Sequence, residues 1–209
     1  MGGVFCRLEP LLLDHAPGLH AAYAADVSGS IWTYLPYGPF ADLEAYRPWV
    51  AGAARPADPL FFAVLVDDRP LGVASYLRIA PQAGSIEIGH ICFAPSLQRT
   101  PAATEALTIM IRWAFEAGYR RVEWKCNAAN AASCRAAERL GFAYEGVFRQ
   151  AGVVKGRNRD TAWFAAIDRD WPALATAYAQ WLAPANFTPS GEQRLRLSEL
   201  TRPVRPDGS

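Results

Sequence analysis

Residues 96–106, SLQRTPAATEA, combine the residue types that begin a helix on an anion. Free N–H groups and the positive end of the helix dipole hold a phosphate, and glycine lets the backbone approach it closely. Here proline and alanine stand where a phosphate cradle would use glycine. Pro101 removes one donor, whereas Thr100, Ala102 and Ala103 still present theirs and Arg99 adds a cation. Taken by itself, the stretch equally describes a capped structural helix, with Thr100 as N-cap and Pro101 at the first helical position. A carboxylate and an imidazole, Glu87 and His90, lie close together in SIEIGHICF. Their odd spacing on a strand turns them to opposite faces. His90 then shares the face of Ile86, Ile88 and Cys92, where a satisfied core histidine is the ordinary outcome. Asn130 and Ser133 are one helical turn apart on one face; alone, they read as an N-cap and a first-turn hydroxyl.

The four cysteines, Cys6, Cys92, Cys126 and Cys134, contain no C-x-x-C pair and no histidine cluster at zinc spacing, so no metal site and no disulfide framework is expected. A thiol nucleophile would have to pair Cys92 with His90 or Cys134 with Asn130. His90 and Cys92 are neighbours on a face rather than a nucleophile facing its base, and no helix start activates Cys92.

These residues sit in alternating strands and helices. VFCRLEPLLL reads as a first strand, followed by helices over about 16–25 and 41–54 with the aromatic loop SIWTYLPYGPF between them. LFFAVLVDDRPLGVASYLRI is a hairpin turning at residues 67–70, and SIEIGHICF completes an antiparallel meander. Ala103, Leu107, Met110, Ile111 and Ala114 make the apolar stripe of a helix over about 101–117, with Gly118 as its left-handed cap. Next come the strand RVEWKCN, an alanine-rich helix stopped by Gly141, strands at FAYEGVFRQ and DTAWFAAID, and a last helix over about 171–182. The densest charged stretch, VVKGRNRDTAWF, occupies the hairpin between the last two strands. Lys155 and Gly156 suit a solvated turn; Arg157, Asn158, Arg159 and Asp160 fit that role less well.

With 209 residues, 51% hydrophobic, the chain suits one sizeable core, and a single domain over 1–183 is expected. Residues 184–209 read as a tail, draped or disordered. A formal charge of +1 provides no global field toward nucleic acid or an anionic membrane. No apolar run approaches a membrane span, no signal-like N-terminus is seen, and the cysteine usage suits a reduced, cytoplasmic protein.

Two segments and this element order resemble the GNAT N-acetyltransferase superfamily, specifically its RimJ/RimL-like branch, over roughly residues 5–170. ICFAPSLQRTPAATEALTIMIRWAF occupies the place of the acetyl-CoA motif, and NAANAASCRAAERLGFAYEGVFR matches the N-x-x-S…LGF…G pattern of that branch. The resemblance implies an α/β (α+β) fold: a central mixed, mostly antiparallel seven-stranded sheet flanked by helices and splayed between strands 4 and 5. It implies transfer of the acetyl group of acetyl-CoA to a primary amine by direct attack, the acceptor being a protein N-terminus or a small molecule.

Residue by residue, the implied cofactor contacts are the backbone of Ile91, Cys92 and Phe93, the helix start from Gln98 through Arg99, Thr100, Ala102 and Ala103, and Asn130. Ser133 would meet the sulfur, since the family's tyrosine position is here Ala137, and Glu87 would serve as base, directly or through water. Trp32, Tyr34 and Tyr37 in the aromatic loop, with Arg157, Asn158 and Asp160, would border the acceptor; packing of the two early helices explains the aromatics equally well. A small-molecule or peptide amine is the expected partner, of a monomer or homodimer. The replaced glycines and missing tyrosine keep open a non-catalytic CoA-binding or interaction domain, and a thiol-dependent acyl-enzyme transferase or hydrolase.

Overall fold

The computed structural model describes residues 1–188 and 190–204. The aromatic and β-branched run LFFAVLV forms β2 (Leu60–Val66), which pairs antiparallel with β3 (Arg69–Ala80). Only Asp67 and Asp68 make the turn, with left-handed φ of 48° and 62°. That is the twist a two-residue hairpin requires, so Arg69 and Pro70, expected in the turn, already belong to β3. On the other edge of β2, β1 (Arg7–Pro10) pairs antiparallel. It is shorter than the strand expected from Val4, because the carboxylate of Glu105 accepts the amides of Val4, Phe5 and Cys6 at 2.7, 2.6 and 2.9 Å.

Met1–Ala80 and Glu87–Met110 make one compact unit; Pro81–Ile86 and the described residues from Ile111 onward make a second. The strands form one mixed seven-stranded sheet flanked by helices, in the order β1-β2-β3-β4-β5-β7-β6. Here β4 is Ser85–Phe93, β5 Arg121–Asn127, β6 Ala143–Val154 and β7 Arg157–Ile167.

In the first unit, α1 (Ala16–Tyr23) and α2 (Leu43–Ala53) cover one sheet face. Their core contains Leu19, Tyr23, Tyr46 and Val50 with Phe61, Ala63, Val73 and Cys92 from the sheet, and Trp32 from the loop between the helices. Trp32 packs edge-on against Tyr23 and Phe40 at 5.1 and 5.5 Å, while Tyr37 lies 4.5 Å from Trp49. For Trp32 and Tyr37 the packing alternative is therefore met by the structure. The helix α3 (Pro101–Glu116) begins on Thr100, whose Oγ1 accepts the Ala103 amide at 3.2 Å. Burial extends beyond the expected stripe: Thr104, Glu105 and Thr108 are buried as well. Tyr76 Oη donates to the Met110 carbonyl at 2.6 Å.

In the second unit, β7 pairs antiparallel with both β5 and β6. β6 runs to Val154, past its expected end, by absorbing irregularities between Tyr144 and Gly146 and between Phe148 and Gly152. Only Lys155 and Gly156 turn the hairpin, both at positive φ, so Arg157–Asp160 lie in β7 rather than in the turn. α4 (Ala131–Arg139) follows β5, and α5 (Trp171–Leu182) has the bounds expected. Of the segment expected as a tail, Pro184–Asn186 form a 3₁₀ turn and Leu197–Thr201 form α6, with Asn186, Leu197 and Thr201 buried. Asn186 Nδ2 donates to the Trp181 carbonyl at 2.9 Å, and its Oδ1 accepts the Leu195 amide at 2.8 Å. Residues 205–209 of that segment lie outside the described residues.

Candidate active site

Within β4, His90 adopts φ of 50°. A left-handed residue inside a strand is a bulge and resets the alternation of faces. The consequence is visible on both sides of it. Phe61, in the core beneath α1 and α2, is the cross-strand partner of Ser75, which places Ser75 and, two residues on, Leu77 on that face. A Cβ on Gly89 would touch Leu77 at 3.0 Å and Glu87 Oε1 at 3.5 Å, so Glu87 shares that face. Beyond the bulge, His90 stacks on Tyr37 at 5.7 Å, accompanies Phe61 at 5.1 Å, and places Nδ1 3.2 Å from Tyr37 Oη. The expectation that Glu87 and His90 face oppositely is thereby overturned: a bulge between them sends both side chains toward the helices α1 and α2.

Glu87 is 3% exposed. Its Oε2 accepts from Arg78 Nη1 at 2.7 Å, and the Arg78 side chain is itself 61% exposed. Arg78 is also left-handed, φ 47°, with its amide and that of Ile79 donating to the Asp58 carboxylate at 2.9 and 3.0 Å. Sequence reading passed over Arg78, although its place one hairpin arm before Glu87 is the signal of a cross-strand ion pair.

Gln98 builds the loop ahead of α3: its Nε2 donates to the Phe93 carbonyl at 2.9 Å and its amide to the Ala94 carbonyl at 3.1 Å. The Thr100 amide donates to the Leu97 carbonyl at 3.3 Å, and the Ala103 amide is taken by the Thr100 cap. Of the donors expected for an anion, the structure thus uses two internally. The amides of Arg99 and Ala102 have no partner among the described residues, and Arg99, exposed at φ 61°, stands directly before the helix. A left-handed residue leading into a helix forms a concavity of N–H groups that fits a pyrophosphate.

On β4 the Cys92 carbonyl accepts from Tyr23 Oη at 3.0 Å. The Cys92 thiol is 2% exposed, and burial pushes it up to about 12. A buried, protonated thiol is a poor nucleophile. The Cys134–Asn130 pairing fails as well: Asn130 Oδ1 accepts the Ser133 amide at 3.2 Å as the N-cap of α4, so it cannot serve as a base. Ser133 Oγ accepts from Trp124 Nε1 at 3.0 Å, and its hydroxyl also reaches the Cys126 thiol. Along β7, Asp160 Oδ1 accepts the Gln150 amide at 2.7 Å and Asn158 Nδ2 at 2.9 Å. Those bonds hold it below the usual carboxylate range and pin the bulge at Gln150, φ 52°.

A mixed sheet with a bulged fourth strand running into an open helix start defines an acyl-CoA-dependent acetyltransferase. The acetyltransferase (GNAT) domain model matches residues 6–143, and the chain belongs to that family. A GCN5-related N-acetyltransferase from Brucella melitensis is 45% identical, with a TM-score of 0.94 over 96% of this chain and 93% of that one. A GNAT-family protein from Chromobacterium violaceum ATCC 12472 is 44% identical, with a TM-score of 0.78 over 82% of this chain and 87% of that one. The Salmonella typhimurium acetyl transferase that modifies the N-terminal serine of ribosomal protein L7/L12 shares the fold, with a TM-score of 0.69 at 23% identity over 79% of this chain and 96% of that one. No curated protein matches the chain in sequence.

Proposed function

We propose that this acetyltransferase moves the acetyl group of acetyl-CoA to a primary amine of a small molecule or peptide by direct attack. The observation that carries the reading is the pair of amides, Arg99 and Ala102, at the start of α3 that have no partner among the described residues. With the Arg99 guanidinium they would hold the pyrophosphate, while Gln98 and Thr100 shape the loop around it and Ala103 keeps the helix start slim. The backbone of Ile91, Cys92 and Phe93 and the capping Asn130 would complete the contacts to the pantetheine arm.

Acetyl-CoA supplies an activated thioester carbonyl. Glu87 takes the proton of the incoming amine, directly or through water, from beneath its Arg78 partner. A main-chain N–H of the Ile91–Phe93 stretch of β4 would stabilise negative charge on the carbonyl oxygen. Ser133, with its oxygen held by Trp124, gives its proton to the departing sulfur. Tyr34, the Trp32 and Tyr37 cluster, and Arg157, Asn158 and Asp160 would set acceptor preference. Among the described residues no helix is long and apolar enough to cross a membrane, which suits action in the cytoplasm.

The test is release of free CoA thiol from acetyl-CoA across amines and peptides with free or blocked N-termini. Turnover only with free amines supports the reading. Equal thiol release without any amine would mean hydrolysis, and tight CoA binding with no turnover would mean a binding domain.

A further inference from the structure

Cys126 Sγ, near the end of β5, and Cys134 Sγ, near the start of α4, lie 3.6 Å apart as free thiols. A disulfide requires about 2.0 Å between sulfurs, so side-chain rotation has roughly 1.6 Å to close. The connection between the two elements is pinned: the Ala129 amide donates to Asn127 Oδ1 at 2.9 Å, and the Asn130 amide to the Asn127 carbonyl at 2.8 Å. The two thiols differ in access. Cys126 is buried, and burial drives its thiol upward against the opposing pull of the Ser133 hydroxyl and the Arg159 charge. Cys134 is partly exposed, and its amide makes the first helical bond, to the Asn130 carbonyl at 3.0 Å. Of the two, Cys134 is therefore the thiol that a small molecule in solution reaches first.

We propose that Cys134 and Cys126 form a dithiol that exchanges with low-molecular-weight disulfides such as glutathione disulfide, making this corner of the protein a reversible modification site. The Cys134 thiolate attacks one sulfur of the small disulfide. That S–S bond breaks, one half joins Cys134, and the other half leaves and takes up the proton Cys134 lost. Cys126 then attacks Cys134 Sγ; the mixed disulfide breaks, and the second half leaves with the Cys126 proton. Two electrons pass from the protein dithiol to the small disulfide, and two small thiols are released. Cys6 and Cys92 take no part, since both are buried and neither makes the sulfur–sulfur contact that joins Cys126 to Cys134.

The experiment incubates the reduced protein with millimolar glutathione disulfide, alkylates the remaining thiols and measures intact mass and linked peptides. The expected product has lost two hydrogens and two of its four free thiols, carries one Cys126–Cys134 linkage, and returns to the starting mass with dithiothreitol. Cys126→Ser should stop at a glutathione adduct on Cys134, and Cys134→Ser should leave Cys126 unmodified. Four alkylatable thiols after an exposure that oxidises a control dithiol would overturn the proposal. So would a linkage to Cys6 or Cys92, or modification of Cys126 in Cys134→Ser at the parent rate. Should either variant fail to fold, the mass and linkage of the parent protein decide alone. No readout depends on the identity of the acetyl acceptor or on CoA binding.

Discussion

Arg78 Nη1 donates to Glu87 Oε2 at 2.7 Å, which sets a solvent-facing guanidinium on a buried carboxylate. Glu87→Gln should lower kcat by at least about tenfold, ~1.4 kcal/mol of transition-state stabilisation, while CoA affinity stays within about twofold. Steady-state kinetics with calorimetry separates the two; equal loss of both would make Glu87 structural. Arg78→Ala removes the hydrogen bond that positions the Glu87 carboxylate, so kcat should fall while CoA affinity stays within about twofold, and Arg78→Lys should restore part of the loss.

Charge reversal at the helix start tests the pyrophosphate site. Arg99 is exposed and left-handed, so Arg99→Glu disturbs no packing yet places an anion beside an anion. CoA should bind about 10- to 100-fold more weakly, ~1.4–2.7 kcal/mol, with the melting temperature of the free protein unchanged. Parent-like affinity would return this stretch to a capped helix. Ala102 and Ala103 are poorer places for such a test, because both are buried and a glutamate there would disrupt packing.

Glu105 is buried and accepts three main-chain amides, from Val4, Phe5 and Cys6. Glu105→Ala leaves those donors without their acceptor and opens space in the core, so a loss of about 2–4 kcal/mol is expected in urea unfolding. A change under about 0.5 kcal/mol would show that water replaces the carboxylate.

Gly141, within the LGF motif, has φ of 86°, and a Cβ there would collide with Leu174 Cδ2 and come within 3.1 Å of Thr201 Cβ. Gly141→Ala combines backbone strain with overpacking and should cost about 1–3 kcal/mol. Thermal unfolding measures it, and an unchanged midpoint would show that Leu174 and Thr201 yield freely.

On β5, burial pushes the Glu123 carboxyl up, but its bonds to Lys125 at 2.7 Å and Arg121 at 2.8 Å outweigh this and hold it below its ordinary 4.5. A depressed carboxyl contributes stability that is present above its unfolded value and lost as pH falls through its folded value. Stability of the parent should therefore decline below about pH 4.5 more steeply than that of Glu123→Gln. Parallel profiles of the two proteins would remove Glu123 from the acid response.

Much of the fold was legible because it is written in local physics. Pro101 with Thr100 starts α3, Asn130 starts α4, and Gly118 and Gly141 end helices at φ of 93° and 86°. Each signal needs only a few neighbouring residues. The LGF motif, legible as a family mark, proves also to be a packing device, since no side chain fits at Gly141.

Periodicity carried less at β4, where one left-handed residue, His90, breaks the period of two and sends Glu87 and His90 to the same face. No composition rule marks a bulge at a histidine, since its strain is held by surroundings distant in the chain, such as Tyr37 and Phe61. The same holds for Arg78 on Glu87, Glu105 under the N-terminal amides, and the Cys126–Cys134 contact. By itself the sequence determined element types, helix ends and the family motifs, because these depend on short-range propensity and spacing. Tertiary structure alone decided which donors stay open at Arg99 and Ala102, which carboxylate carries a cation, and which thiols meet, because those depend on side chains brought within a few ångströms by chain reversal.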